Sequence, residues 1–175
     1  MVTAGSDSKP SLGRARQGRG SQRGSTLVEF AFAMTILLSL MMGIIEFGRF
    51  LYTYHFLSDV ARDGTRYASV RGHTFAGASC TSTRPYACDA TQANVTTYVQ
   101  SLTPPGIAAT SLTVTTTWPG TNPDGTTAGC TTNTNSPGCY VEVQVSYPYK
   151  FVFPFLPSSA TTWTISSTSE IVISQ

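Results

Sequence analysis

The sequence predicts an α+β protein, in which a long N-terminal transmembrane helix continues into a small soluble domain with a second helix and an antiparallel sheet. Three observations predict this architecture. Residues 27–45 form an apolar run of nineteen residues whose one charge is Glu29. Small and apolar residues then recur at helical spacing, and the C-terminal half alternates polar with apolar residues. At 175 residues the chain has room for one modest domain besides the helix.

The first helix is predicted to leave the membrane and continue. At 1.5 Å per residue the apolar run extends about 28 Å, close to the ~30 Å hydrocarbon core of a bilayer. Beyond it, apolar or small residues recur three or four positions apart at Phe50, Tyr54, Leu57, Ala61, Gly64 and Ala68. This stripe predicts one helix from about Thr26 to about Val70, with its first half in lipid and its second half packed on a soluble domain.

The remaining elements are predicted from caps, breakers and alternation. A second helix is expected over residues 90–102, capped by Asp89 and stopped by Pro104 and Pro105. Strands are expected over residues 112–118, 140–147 and 163–173, with a possible fourth over 150–155 that Pro154 interrupts. The intervening residues 119–138 are rich in Pro, Gly, Asn and Thr, which predicts a long loop.

Positive charge is concentrated before the apolar run. Residues 1–24 contain five basic residues and one acid, whereas the whole chain has 11 basic and 9 acidic residues. The leader arginines are Arg14, Arg16, Arg19 and Arg23. Because Lys and Arg accumulate on the cytoplasmic flank of a membrane helix, the N-terminus is expected inside and the remainder outside. A basic excess confined to this flank does not indicate a nucleic-acid partner.

Three segments are therefore expected along the chain. They are a disordered basic leader (residues 1–24), a transmembrane helix (25–48) and an exported α+β domain (49–175). The residues after Ile45, EFGRFLYTYHF, make a poor signal-peptidase site, so the helix is expected to remain in the mature protein.

All four cysteines fall on the exported side, where disulfides persist. Four cysteines permit three connectivities, and the local pairs Cys80–Cys88 and Cys130–Cys139 are preferred, with crossed pairing left open. There is no CxxC, and His55 and His73 lie far from any cysteine cluster, so a metal site is not expected.

The exported region has no residue pattern that indicates catalysis. It contains two histidines, and it lacks a nucleophile elbow, an HExxH motif and a P-loop. Asn122 and Asp124 in NPDG are explained by a turn, because the ligand series of a calcium loop is missing. The sequence thus predicts neither an enzyme nor a cofactor or small-molecule substrate.

Residues 24–68, which start GSTLVEFAFA and contain IIEFGR and ARDGTRYA, resemble two related protein classes. Their start is similar to the class III signal of type IV pilins, and the whole segment resembles the TadE family of pseudopilins of the tight-adherence (Flp) pilus. The resemblance implies that a membrane aspartyl peptidase, the prepilin peptidase, cuts between Gly24 and Ser25 on the cytosolic side. It also implies that Glu29 becomes the fifth mature residue.

The chemistry of Glu29 supports a role in assembly. An acid at the bilayer centre costs about 2.5–3.5 kcal/mol, but Glu29 lies only about 7 Å along the helix from the predicted cut and can reach the headgroups. When subunits pack away from lipid, an unpaired carboxylate favours a positive partner. The freed α-amine of Ser25 in a neighbouring subunit would supply one and fix the axial register between helices.

Glu46 and Arg49 lie three residues apart at the outer end of the apolar run. An ordinary solvated i, i+3 ion pair is expected, worth a few tenths of a kcal/mol. The resemblance around IIEFGR adds a possible assembly contact to this pair.

The predicted function is that of a minor pseudopilin that enters or initiates a tight-adherence pilus. The resemblance implies the inner membrane and then the periplasm, pilus or cell surface as its locations, surface adhesion and biofilm formation as its context, and other pilin subunits and the pilus assembly machinery as its partners. The alternative is an uncleaved single-pass envelope protein whose exported domain binds a ligand or another protein.

Overall fold

The computed structural model describes residues 22–75, 88–152 and 162–174. In chain order the elements are α1 (Gln22–Ser69), α2 (Gln92–Ser101), a 3-10 turn (Ala109–Ser111), β1 (Thr113–Thr117), β2 (Tyr140–Lys150) and β3 (Thr162–Val172). The predicted α+β class is confirmed: a long apolar N-terminal helix, a second helix and a three-stranded antiparallel sheet. The chain divides into two compact units, Met1–Met41 and Met42–Gln175, which are described separately.

In the first unit, the described residues form the N-terminal part of α1. Every residue from Gly24 to Met41 is exposed, including the large side chains of Leu27, Phe30 and Ile36. Thr35 is accommodated because its hydroxyl donates to the carbonyl of Ala31 at 2.8 Å. This part of α1 thus presents apolar surface on all sides.

In the second unit, the C-terminal part of α1 packs on the sheet and on α2. The predicted stripe is confirmed at Leu57, Ala61, Gly64 and Ala68, which are buried. It is wrong at Tyr54, which is exposed. Thr53 is buried instead, and its hydroxyl donates to the carbonyl of Arg49 at 3.0 Å. Because the hydroxyl of Thr53 is hydrogen-bonded within its own helix, Thr53 can occupy the buried position that the apolar spacing had predicted for Tyr54.

Gly64 permits the closest approach of α1 to its neighbours. A Cβ at this position would lie 3.0 Å from Cγ2 of Val99 in α2 and 3.2 Å from Cγ1 of Val143 in β2. At the next residue, the Thr65 hydroxyl lies 3.0 Å from that of Ser169 in β3. The GT pair within ARDGTRYA thus faces the core.

The sheet has the order β1-β2-β3 with antiparallel neighbours. In β2, Val141, Val143 and Val145 are fully buried, as the alternation predicted. β2 runs three residues further than predicted, through Pro148 to Lys150. Because β1 pairs only as far as Ser146, the later part of β2 has one partner strand, and a proline is tolerated there.

The predicted fourth strand is wrong in the part that can be checked. Lys150 is the last residue of β2, Phe151 and Val152 lie outside the strands, and residues 153–155 lie outside the described residues. The pairing of β2 with β3 extends to Lys150 and Thr162, so Lys150 belongs to β2 and does not start a further strand.

α2 is shorter than predicted and has a different cap. The Thr91 side chain, rather than that of Asp89, accepts from the backbone N–H of Asn94 at 3.2 Å. Gln92 then joins α2 to β1, because its side-chain amide donates to the carbonyl of Val114 and accepts from the N–H of Thr116. Asp89 instead accepts, through its backbone carbonyl, from the Asn94 side chain.

The long loop between β1 and β2 is closed by the predicted Cys130–Cys139 disulfide, which is confirmed with a Cα–Cα distance of 5.7 Å. Gly120 has a φ of +75°, and a Cβ there would lie 2.6 Å from the backbone nitrogen of Thr132, so only glycine fits. Cys88 is also disulfide-bonded. Cys80, its expected partner, lies outside the described residues.

Candidate functional site

The predicted cleavage and assembly residues that the structure describes fall into two groups, the second of which also contains Tyr149 and Val152, the unpredicted partners of Glu46. We call Gly24, Ser25 and Glu29 the N-terminal segment, and Glu46, Arg49, Tyr149 and Val152 the Glu46 cluster. The first group lies in the unit that ends at Met41 and the second in the unit that begins at Met42. Each group is therefore considered on its own.

The N-terminal segment is helical and accessible. Gly24, Ser25 and Glu29 all lie in α1 and are exposed, and nothing lies within 4 Å of a Cβ placed on Gly24. Among the residues that the structure describes, none forms an ion pair with Glu29. The carboxylate is thus available for a partner outside its own chain.

The leader charges can be located only in part. Arg14, Arg16 and Arg19 lie outside the described residues, and Arg23 belongs to the first turn of α1 without a described side chain. Their expected role in orientation remains a prediction from sequence.

The Glu46 cluster is a buried carboxylate with three donors. Arg49 donates from Nη1 to Oε2 of Glu46 at 2.8 Å. The Tyr149 hydroxyl donates to Oε1 at 2.8 Å, and the backbone N–H of Val152 donates to the same oxygen at 3.3 Å. Helical spacing supplies Arg49, whereas Tyr149 in β2 and Val152, two residues after β2 ends, supply the other two donors.

The expectation of a solvated Glu46–Arg49 pair is wrong for the carboxylate. The pair forms, but Glu46 is only 3 % exposed, whereas the Arg49 side chain is half exposed. A local i, i+3 argument could not include the donors from Tyr149 and Val152, which follow Glu46 by about a hundred residues. The cluster therefore fastens α1 to the sheet inside one subunit.

Burial and the Glu46 carboxylate together raise the pKa of the Tyr149 hydroxyl. Desolvation, followed by the hydrogen bond to Glu46 and its negative charge, raises the pKa of Tyr149 from 10.0 to about 12. The phenol therefore remains a neutral donor well above the pH of any cell. Because hydrogen bonds to charged groups are stronger than neutral ones, this contact is well suited to hold the helix on the strand.

Tyr149 is the residue that sequence reasoning missed. It follows Val141, Val143 and Val145 at even spacing, so the alternation of β2 places it on the inner face of the sheet. The available signal was this alternation beyond residue 147. The predicted strand ends at Tyr147, two residues before Tyr149, so it did not include this position.

No metal or cofactor site is indicated by the described residues. Across residues 22–75, 88–152 and 162–174, no three or more His, Cys, Asp and Glu side chains come together in an arrangement that could hold a metal ion. A surface groove of about 460 Å³ lies beside the Glu46 cluster, between Arg49 and Tyr52 on α1 and Tyr147 and Lys150 on β2. These side chains can make polar contacts.

One helix of the described chain is long and apolar enough to cross a membrane. It is α1, with a candidate span within Gly24–Ser69, a mean hydropathy of 2.1 in its best window and none of that window buried. An apolar N-terminal helix of this kind indicates single-pass membrane insertion.

Comparison with known proteins gives one family match. The family model described as TadE-like protein matches residues 24–66. No curated protein and no solved structure matches the chain. The matched residues begin at Gly24 and end three residues before the end of α1, so they include the N-terminal segment, Glu46, Arg49 and Gly64. The resemblance inferred from the residues is thereby confirmed over this stretch.

Proposed function

We propose, because residues 24–66 match the TadE-like family model, that this chain is a Tad pilus-associated protein and, more narrowly, a minor pseudopilin assembled through the N-terminal part of α1. In this proposal the prepilin peptidase cuts after Gly24 on the cytoplasmic side of the membrane. The processed subunit then joins other pilin subunits and the assembly machinery, and its α+β domain is displayed outside. Its role is structural assembly in surface adhesion.

The observation that carries the proposal is the exposure of α1 from Gly24 to Met41. These residues are apolar almost throughout, and none is buried by the described part of the chain. Such a helix needs lipid around it, or the apolar faces of other helices. A subunit that is first stored in a membrane and later packed in a filament uses the same surface for both purposes.

The N-terminal segment supports the assembly step. The accessible Gly24–Ser25 bond is open to a peptidase, and Glu29 has no ion-pair partner among the described residues. Removing the leader would eliminate its positive charge and create an α-amine on Ser25. In a drier helix bundle, Coulomb attraction between that amine and the Glu29 carboxylate of a neighbour is much stronger than in water.

Substitution of Glu29 tests the proposed mechanism. Cells carrying only Glu29→Ala are expected to process the subunit normally and to incorporate less of it into pili. We expect a reduction of about tenfold or more, the factor that corresponds to ~1.4 kcal/mol per contact. Glu29→Gln separates charge from size and should be nearly as defective, whereas Glu29→Asp should retain part of the function. The subunit is measured in sheared pili and in membranes, with its mass determined in both.

The same experiment separates the two candidate functions. Normal pilus production with Glu29→Ala would remove the role assigned to that carboxylate. If the wild-type subunit in cells that contain the peptidase still carries residues 1–24 and stays in the membrane fraction, the protein is instead an uncleaved single-pass envelope protein.

A further inference from the structure

One end of the sheet carries large apolar side chains that the domain leaves uncovered. Trp163 is 63 % exposed and Val152 is 58 % exposed; Val152 lies just after the end of β2, and Trp163 lies at the start of β3. Beside them on α1, Phe47 is 62 % exposed. We call Phe47, Phe151, Val152 and Trp163 the aromatic end of the domain.

The aromatic end is ordered by ring contacts. Phe151 stacks on Phe50 of α1 with centroids 6.2 Å apart, and it meets Trp163 edge-on at 6.0 Å. Phe50 also meets the ring of Tyr149, whose hydroxyl donates to Glu46. The exposed Trp163 is thus held at a fixed place against α1.

The aromatic end lies beside the last turns of the apolar run. A groove of about 320 Å³ is lined by Gly43, Glu46, Phe47, Phe50, Phe151 and Trp163. Gly43 belongs to the apolar run of residues 27–45, and nothing lies within 4 Å of a Cβ placed on it. Trp163 and Phe151 therefore share their level along α1 with residues at the end of the predicted membrane span.

The outward face of the sheet is polar. The outward-facing positions of β1 are Thr113, Thr115 and Thr117, and those of β3 include Thr164, Ser166, Thr168 and Glu170. Among the described strand residues the exposed large apolar side chains are Ile171, which is 42 % exposed, and the more exposed Trp163, which lies at the end of the sheet that adjoins Gly43 and Phe47. Exposed apolar patches that adjoin a membrane span are expected to be in contact with the same lipid.

We propose that the aromatic end is a second membrane contact, which seats the domain in the interfacial layer of the outer leaflet. Trp and Tyr are enriched at this level of a bilayer, because their rings are apolar while their polar groups can stay wet. The exposed Lys150 and the half-exposed Arg49 lie beside the patch, where cationic groups can meet lipid phosphates. This inference rests on membrane insertion of α1 and not on pilus assembly.

The two tryptophans provide matched reporters. Trp163 is the register partner of Tyr149, whereas Trp118 follows Thr117, the partner of Glu142. These positions on β2 are seven residues apart, about 23 Å along a strand. Replacing Trp118 should be tolerated, since its indole nitrogen is buried without a hydrogen-bond partner in the described part of the chain.

The test measures tryptophan quenching in the full chain reconstituted into vesicles of phosphatidylethanolamine and phosphatidylglycerol. The probe is phosphatidylcholine brominated near the carbonyl end of its acyl chains. In W118F, with Trp163 as the reporter, we expect brominated lipid to remove most of the emission and vesicles to protect the indole from acrylamide. In W163F, with Trp118 as the reporter, we expect no lipid quenching.

A third variant verifies the membrane placement on its own. I36W in the W118F/W163F background should be quenched by phosphatidylcholine brominated deep in its acyl chains. Quenching of I36W without quenching of Trp163 would overturn the proposal and leave the pseudopilin function intact. Protection of Trp163 from acrylamide without lipid quenching would also overturn it, and would show that protein covers the patch. No quenching of I36W would overturn the membrane insertion on which the proposal depends.

Discussion

At the residue scale, the carboxylate of Glu46 joins two distant parts of the chain. It is buried, and its donors come from Arg49 on the same helix and from Tyr149 and Val152 at the end of β2. A buried carboxylate is tolerable only when its lone pairs are satisfied, and removal of one partner costs more than the intact pair contributes. Truncation of the Arg49 or the Tyr149 side chain should therefore destabilise the packing of the helix on the sheet.

The raised pKa of Tyr149 predicts a specific alkaline response. Below pH 10 the phenol is neutral in both the folded and the unfolded chain, so its stabilising contribution is complete. Between pH 10.0 and about 12, the unfolded phenol loses its proton while the folded one keeps it, so stability falls as the pH rises. Tyrosinate absorbance of the detergent-solubilised chain should show one phenol titrating near 12.

Tyr149→Phe is the control for that titration. It should remove the highest-pH component of the absorbance change and make the loss of stability across this window less steep. An unchanged titration in Tyr149→Phe would contradict the assigned environment of this residue. The other seven of the eight tyrosines remain as an internal reference.

Substitution by alanine should have opposite effects on stability at Gly64 and at Gly48, two glycines of the same helix. Gly64→Ala brings a methyl group within 3.0 Å of Val99 and 3.2 Å of Val143, so overpacking should outweigh the gain in helix propensity. We expect the free energy of unfolding to fall by about 1–2 kcal/mol. Gly48→Ala is the matched control, because its Cβ meets nothing within 4 Å and should stabilise the helix by about 0.5–1 kcal/mol.

Denaturant unfolding in detergent measures both glycine variants. Equal effects of the two substitutions would contradict the close approach of α1 to β2 and α2.

Single residues show where sequence reasoning succeeds and where it stops. Gly64 could be placed on the inner stripe from spacing alone, and the structure adds the reason why a glycine is there. The partners of Glu46 could not be predicted, because hydrogen bonds across about a hundred residues depend on the register of β2 against α1. Local pairing rules describe Arg49 correctly but not the burial of Glu46.

At the element scale, the N-terminal and C-terminal parts of α1 have different surroundings within one uninterrupted helix. Residues from Gly24 to Met41 are exposed, whereas Leu57, Ala61 and Ala68 are fully buried. The contacts of the α+β domain begin at Glu46, inside the segment that the sequence assigns to the membrane span. The last turns of the predicted span are therefore also part of the domain's own packing.

The disulfide loop predicts an effect confined to stability. Cys130→Ser/Cys139→Ser opens a loop of sequence separation 9 and should lower the free energy of unfolding by about 2–3 kcal/mol. The sheet pairings should remain, because none of the described strands contains either cysteine. Thermal unfolding of the variant beside wild type measures the loss, and wild-type stability in the variant would contradict this role of the bridge.

Element types were predictable and element ends were not. Apolar spacing identified α1, the cap and proline signals identified α2, and alternation together with β-branched composition identified the three strands. The misplaced cap at Asp89 and the early end of β2 have one cause. The position of a cap or of a strand end depends on which backbone groups find hydrogen-bond partners. Those partners are known only from the folded structure: the Thr91 side chain accepts at the start of α2, and Lys150 pairs with Thr162 at the end of β2.

At the scale of the whole molecule, the described chain consists of a compact α+β domain and a length of apolar helix that it does not cover. The domain buries its own apolar core, whereas the exposed apolar helix requires lipid or the apolar surfaces of other helices around it. The TadE-like match covers residues 24–66, the helical region in which both properties meet. In the proposed function, processing and assembly therefore depend on the start of α1.

The mature N-terminus tests the central proposal most directly. Intact mass and N-terminal sequencing of the protein extracted from membranes and pili are predicted to give a chain that begins at Ser25, and Gly24→Val should abolish this product while leaving membrane insertion unchanged. A wild-type protein that retains residues 1–24 in cells with an active prepilin peptidase would contradict the pseudopilin account.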